Sequence, residues 1–219
     1  MGHEPPDAAQ VRAKYAAAAD GYDARQRVPV RRRRYELVEA PLRKIAEKGA
    51  VLDLGTGTGR LLRKVGGRGV GIDPSIEMLR RAGGLPVACA DAHALPFRDD
   101  SFDAVVAAQG VFRYLDTDRA MAECARVLRA GGRLGLHQFA ERTWSPRTLF
   151  RPRTAAQTAS GLHLSNLREL TQPAEGAGLI VEESFFWRAT RLYPYVIPVP
   201  GWLPGHLWSH CVAVFRKSR

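Results

Sequence analysis

Cysteine is scarce in this chain: Cys89, Cys124 and Cys211 are the only three in 219 residues. They form no CxxC pair and no Cys/His spacing of metal-ligand type. A disulfide framework and a zinc site are therefore not expected, and a reducing cytosol is the default. Long apolar runs are also missing, and no stretch approaches the roughly 18 residues needed to span a bilayer. The opening "MGHEPPDAAQ" holds no apolar segment of the signal-peptide kind, and Pro6 stands where a myristoylation signal takes Ser or Thr. A cytoplasmic chain is the expectation. Lysine is scarce too: 5 residues against 28 arginines, in a formal net charge of +11.

That charge leaves three classes of partner open: nucleic acid, an anionic membrane surface or an acidic substrate. The one dense run, "RRRRYELVEAPLRKIAEKG" from Arg31, continues with helical spacing through Leu37, Val38, Leu42, Ile45 and Ala46. It reads as a helix with a solvated basic face, or as a docking patch for an anionic partner. With 45% hydrophobic and 25% charged residues, the chain should fold around one core of moderate domain size.

From about residue 50, strand and helix patterns alternate. Short, near-continuous apolar runs appear at "AVLDLG", "RGVGID", "LPVACAD", "SFDAVVAAQ" and "RLGLHQF", as expected of strands buried on both faces. The clearest helix between them is "LDTDRAMAECARVLRAGG". Asp116, Thr117 or Asp118 caps its start, Met121, Cys124, Ala125 and Leu128 share a stripe, and Gly131 and Gly132 end it. A βαβ series of this kind predicts a parallel sheet covered by helices. Two later strands fit 178–186 and 209–217, with a helix at "SNLRELTQPAEGAG" before the first. The predicted domains are an N-terminal helical extension over 1–48 and a main domain over 49–219. The main domain carries a basic, poorly periodic insertion at about 140–164, long enough to be a lid or substrate element.

A parallel α/β sheet binds ligands beyond the carboxyl ends of its strands. After the first strand, "VLDLGTGTGR" places glycines at 55, 57 and 59, a GxGxG spacing rather than the dinucleotide GxGxxG. Asp53 lies two residues before the turn, a poor neighbour for a diphosphate and a good one for a cationic ligand. After the second strand, Asp73 can accept both hydroxyls of a ribose, cap the helix "PSIEMLRRA", or do both. After the third, Asp91 in "ADAHALPF" can accept the exocyclic amine of an adenine.

At these residues the chain resembles a family. "VLDLGTGTG", "GIDPSIEML", "ADAHALPF", "FDAVVAAQGV" and "ARVLRAGGRL" occur in this order and at these spacings in class I S-adenosylmethionine-dependent methyltransferases. The similarity leans to the small-molecule branch that includes the ubiquinone- and menaquinone-biosynthesis enzymes. It covers about residues 48–140, and extends loosely upstream through "YAAAADGYDARQ" and downstream through "LRELTQPAEGAGLIVEE". The resemblance implies a doubly wound, seven-stranded, mainly parallel Rossmann-like sheet with its last strand antiparallel, and S-adenosyl-L-methionine as cofactor. It implies that Gly55, Thr56, Gly57 and Thr58 line the methionine moiety, with Asp53 near its ammonium. Asp73 would bind the ribose, Met78 would pack near the adenine, and Asp91 and Ala92 would read the adenine edge. Ala108 and Gln109 would close over the sulfonium side, and Tyr15 and Tyr22 would come from an N-terminal lid.

Methyl transfer from a sulfonium is an in-line displacement in which positioning supplies much of the rate. A general base is needed only where the acceptor must lose a proton. His137, after the fifth strand, is the candidate base, with a histidine packed at the strand end as the alternative. Arg113, Tyr114, His163 and Trp202 are candidate substrate residues. Trp202 belongs to "RLYPYVIPVPGWLPGHLW", whose prolines at 194, 198, 200 and 204 forbid a regular helix. Its aromatic residues suit the wall of an apolar pocket, a packed hairpin or dimer contact, or a membrane surface.

The expected function is methyl transfer to a small aromatic or apolar acceptor, by a monomer or homodimer. Three alternatives stand beside it: an RNA or protein methyltransferase, a non-catalytic S-adenosylmethionine-binding protein, and a short-chain dehydrogenase. No tyrosine has a lysine four residues on, which argues against the dehydrogenase. The place after the fourth strand reads "AAQG" rather than [Asn/Asp]-Pro-Pro-[Tyr/Phe], and no RNA-binding module is visible, so a nucleic-acid partner is not expected.

Overall fold

The computed structural model describes residues 7–26, 29–65, 68–139, 167–189, 196–198 and 210–218. Five strands run parallel over residues 51–139: β1 (Val51–Leu54), β2 (Gly69–Asp73), β3 (Val87–Cys89), β4 (Phe102–Ala107) and β5 (Leu128–Phe139). β6 (Leu179–Ala189), β7 (Val196–Pro198) and β8 (His210–Lys217) complete one sheet in the order β3-β2-β1-β4-β5-β8-β6-β7. β8 inserts antiparallel between β5 and β6. The expected seven strands are thus present, with the last antiparallel. The three-residue β7 is an addition at the edge, paired with β6. It falls inside the proline-rich segment. Proline is tolerated there because an edge strand need not donate every ladder hydrogen bond.

The apolar runs are continuous because the sheet is covered on both faces. Within β1, Leu52 and Leu54 pack into one core and Val51 into the other. Within β4, Val105 and Ala107 alternate with Ala104 and Val106 in the same way. This is the period-two geometry of a pleated strand with no solvent face. On one face sit α5 (Thr117–Val127) and α6 (Leu167–Gly176). On the other sits α3 (Pro29–Ile45), through Val38 and Leu42 with Ala46 just beyond its end. α3 approaches the sheet closely at Gly135, where an added Cβ would lie 2.4 Å from Ile45 Cδ1.

α5 begins one residue after Asp116, whose side chain accepts from Arg119 N, and its stripe of Met121, Cys124 and Ala125 is buried as expected. It ends at Val127, earlier than the glycine pair predicted. Leu128 already pairs with Phe102, and Arg129 to Gly132 form an irregularity before the register resumes at Arg133. In the basic run, Arg32 makes an exposed i,i+4 ion pair with Glu36, consistent with a solvated face there.

Ahead of β1 lie α1 (Ala8–Ala18), a short 3-10 turn (Ala19–Gly21) and α2 (Tyr22–Gln26). α1 buries none of its residues. It is sustained by alanine-rich helix propensity and by Asp7, whose Oδ1 accepts from Ala9 N at 2.8 Å. The remaining helix, α4 (Ile76–Leu79), follows β2. Among the described residues no helix is long and apolar enough to cross a membrane.

Candidate functional site

The order of strands reverses between β1 and β4, and loops leaving their carboxyl ends part there, the usual ligand crevice of an open α/β sheet. A cavity of about 470 Å³ opens at this point. All thirteen residues expected to touch a nucleotide cofactor line it: Tyr15, Tyr22, Asp53, Gly55, Thr56, Gly57, Thr58, Asp73, Met78, Asp91, Ala92, Ala108 and Gln109. Tyr114 joins them. Arg113 and His137 do not line it, and His163 and Trp202, like the 140–164 insertion, fall outside the described residues.

The turn after β1 is built by its glycines. Gly55, Gly57 and Gly59 all have positive φ, a region that L side chains rarely adopt. At Gly55 an added Cβ would also lie 2.5 Å from Val111 Cγ2, so the loops after β1 and β4 touch at this point. A short 3-10 turn, Leu62–Lys64, follows rather than a regular helix.

Asp53, 2% exposed, accepts the Thr56 hydroxyl at 2.7 Å. Burial pushes its carboxyl up to about 7; the Thr56 hydrogen bond opposes this and the nearby Glu39 carboxylate adds to it. Glu39 is fully buried on α3 and is ion-paired with Arg60 and with Lys64, the latter at 2.9 Å.

Asp73 has a double backbone role. Its Oδ1 accepts from Ser75 N at 2.9 Å and its Oδ2 from Gly57 N at 3.0 Å. Burial raises its carboxyl above the ordinary range, and these two N–H groups hold the rise in check. The helix-capping alternative passes to Ser75, whose Oγ accepts from Met78 N. Asp73 instead ties the glycine turn to the end of β2.

Asp91 differs from the other two: its side chain is 65% exposed. Partial burial works upward on its carboxyl but is outweighed by hydrogen bonds from His93, which hold it below the usual range. The loop carrying it is clamped to α5. Leu95 N donates to Glu123 at 2.6 Å, and Arg126 donates to the carbonyls of Leu95 and Phe97.

The fourth wall comes from the turn after β4. Gln109 has φ 64, uncommon for a residue other than glycine, and Gly110 follows at φ 72. Gln109 N donates to His137 Nδ1 at 3.1 Å, and Gly110 N donates to the His137 carbonyl at 2.9 Å. His137 itself is 2% exposed. Its Nδ1 lone pair is thus committed to a backbone donor and is not directed at the cavity, which corrects the candidate-base reading at that nitrogen and favours the packed-histidine alternative. Arg113 likewise acts from behind the wall. Its Nη2 donates to the Tyr114 hydroxyl at 2.6 Å, and its guanidinium lies over the Phe139 ring.

The N-terminal elements close the remaining side. Tyr15 of α1 donates to the Tyr114 hydroxyl at 3.1 Å, and the two rings meet edge to face. Thr58 donates to Asp23 Oδ1 at 2.8 Å, and Asp20 pairs with Arg81. Burial raises the Tyr15 phenol, while at Tyr114 burial is outweighed by the Arg113 charge and hydrogen bonds, so that its phenol is lowered. Val11, Arg12 and His93 also line the cavity, beyond the residues expected from sequence. His93 belongs to "ADAHALPF", whereas the helical positions in α1 carry no local signal.

The family of methyltransferase domains matches residues 52–136. The chain is 38% identical over 123 residues to a demethylmenaquinone methyltransferase of Streptomyces avermitilis, covering 53% of each. It is 38% identical over 147 residues to a demethylmenaquinone methyltransferase of Thermobifida fusca, covering 61% of this chain and 62% of that one. It thus spans about half to three-fifths of the length of these curated relatives. Among solved structures, the N-methyltransferase NodS of Bradyrhizobium japonicum, in complex with S-adenosylhomocysteine, superposes with a TM-score of 0.66 at 17% identity, covering 96% of this chain and 98% of that one; this likeness is one of fold. Residues 52–136 thus match a methyltransferase domain, the sheet has the fold of a known methyltransferase, and the chain resembles the demethylmenaquinone methyltransferases.

Proposed function

We propose that this protein transfers a methyl group from S-adenosyl-L-methionine to a small aromatic or apolar molecule. The observation that carries the reading is the cavity wall itself: three carboxylates, from β1, the end of β2 and the loop after β3, line one cavity together with the glycine turn. The chemistry of that set suits a ligand with a cationic tail, a diol and an amine-bearing base. Gly55 to Thr58 would hold the methionine tail with Asp53 near its ammonium, Asp73 the ribose, and Asp91 and Ala92 the base edge. Met78 would pack against the base, and Ala108 and Gln109 would close beside the sulfonium. The bound cofactor supplies a methyl group already activated for displacement.

The chain's own residues then have four tasks. The Asp73 carboxylate keeps a lone pair on each oxygen beyond its backbone bonds, so it can orient hydroxyl groups without moving the turn. Asp53, with its carboxyl near neutrality, releases its proton readily when a cation arrives. Tyr15, Tyr114, Val111 and Leu115 present an aromatic and apolar wall, suited to orienting an acceptor and excluding water. His137 is assigned a positioning role, holding Gln109 in its uncommon backbone conformation.

The N-terminal segment over 1–48 is proposed as the cover of this cavity, through the Tyr15, Asp20 and Asp23 contacts. A cytoplasmic location and a monomeric or homodimeric state belong to the same reading. Calorimetric titration with S-adenosylmethionine, S-adenosylhomocysteine and NAD tests the first half. Binding of NAD with no response to the other two refutes it. Labelled-methyl transfer into a metabolite extract, with RNA and protein fractions in parallel, tests the second. Label confined to RNA or protein overturns the small-molecule acceptor.

A further inference from the structure

His93 is held at its backbone N–H and at both ring nitrogens. Its backbone N–H donates to Asp91 Oδ1 at 2.9 Å, and its Nδ1 lies 2.7 Å from the same oxygen. On the far side of the ring, Nε2 accepts the backbone N–H of Asp116 at 2.9 Å. These contacts decide the tautomer. A nitrogen that accepts an N–H carries no proton, so the neutral ring holds its proton on Nδ1 and donates it to Asp91. Oδ1 of Asp91 therefore receives two donors from one residue. Among the described residues nothing donates to Oδ2, and Asp91 and His93 both line the cavity. The far anchor is firm, because Asp116 caps α5 and the intervening loop is clamped by Glu123 and Arg126.

We propose that His93 is a specificity-determining residue of the cofactor site. By holding Oδ1 it fixes the plane of the Asp91 carboxylate and presents Oδ2 as a preorganised acceptor, which sharpens the preference for a 6-amino over a 6-oxo purine. The inference rests on the cofactor reading given above. An exposed carboxylate without such a hold rotates about its last torsion, so its acceptor has no fixed direction and its hydrogen bond to an amine is weaker. Between the Asp116 N–H and its own two donors, His93 removes that freedom. The same hold dictates what an amide would do at position 91. In Asp91→Asn, the two His93 donors require the amide oxygen at the Oδ1 place, so the NH2 group takes the Oδ2 place. An acceptor toward the base becomes a donor, and the preferred partner becomes a 6-oxo purine.

The experiment compares S-adenosylhomocysteine with its deaminated analogue, S-inosylhomocysteine, by calorimetry on the full chain. Wild type should favour the adenosyl compound by about tenfold to a hundredfold, the range for one hydrogen bond to a charged group. His93→Ala should reduce that ratio by about tenfold. A residue that merely stabilises the fold would weaken both ligands together and leave the ratio unchanged. Asp91→Asn should invert the preference, and the double variant with His93→Ala should lose the inversion. The Asn variant keeps every backbone contact, so it serves where His93→Ala folds poorly. A wild-type ratio near one, an unchanged ratio in His93→Ala, or no inversion in Asp91→Asn overturns the inference. Failure of wild type to bind either homocysteine compound overturns the cofactor reading instead, and this inference falls with it.

Discussion

Asp53→Asn exchanges a buried, ionisable acceptor for a neutral one of the same shape. Asp53 is 2% exposed, and burial raises its carboxyl from 3.8 to about 7. A carboxyl whose pKa is higher in the folded than in the unfolded chain favours folding least once both states are ionised. The wild-type stability should therefore be greatest below about pH 4, fall through about pH 7 and level off above it. At about 1.4 kcal/mol per pKa unit the full effect is bounded at about 4 kcal/mol. Between about pH 5 and about pH 8 the change is about 2–3 kcal/mol. Asparagine does not titrate, but it replaces one acceptor oxygen of the buried carboxylate by an NH2 donor and leaves a neutral acceptor for the Thr56 hydroxyl. That mismatch should cost about 1–3 kcal/mol at every pH. Urea unfolding of both proteins across the range is the assay, because subtracting the two curves cancels every other titrating group. The variant should be the less stable protein near pH 5 and should match or exceed wild type near pH 8, while binding S-adenosylmethionine more weakly. Parallel curves, with no swing in the difference, would refute the argument.

Asp73→Ala removes the acceptor that joins the glycine turn to β2; S-adenosylhomocysteine affinity should fall by roughly 1–3 kcal/mol in calorimetry, and unchanged affinity would remove Asp73 from the site. Glu39→Gln breaks a fully buried carboxylate's pairs with Arg60 and Lys64, so the urea midpoint should drop by an amount equivalent to about 3 kcal/mol. Tyr114→Phe deletes the hydroxyl shared by Tyr15 and Arg113; limited proteolysis ahead of β1 should quicken, and an unchanged cleavage rate would argue that the hydroxyl pair does not hold the cover. His137→Ala leaves the Gln109 N–H without its acceptor, which should lower stability by about 1–3 kcal/mol and reduce turnover without deleting a limb of the pH–rate profile.

The parallel sheet was legible in the chain because buried strands leave uninterrupted apolar runs: β1 and β4 have no exposed residue, and β5 is buried from Leu134 to Gln138. The helix stripe through Met121, Cys124 and Ala125 was legible for the same reason at a different period. The glycines at 55, 57 and 59 announced a turn because each occupies a backbone region that other residues avoid. Asp53, Asp73 and Asp91 could be placed near it because strand ends of a parallel sheet converge on one edge.

Other features depended on contacts between residues far apart in the chain. The end of α5 was set by pairing of Leu128 with Phe102, a tertiary demand that overrode the glycine signal. The short strand Val196–Pro198 exists because β6 offers it an edge. His137 read as a candidate base from its position, yet Gln109, 28 residues away, claims its Nδ1. His93 read as one letter of a motif, and only the arrival of Asp116 on its other side fixes its tautomer. Periodicity and backbone preference are local, so the sequence by itself determined the sheet and the turn. Which lone pair is taken and which is left for a ligand depends on long-range packing, and only the tertiary structure decided that.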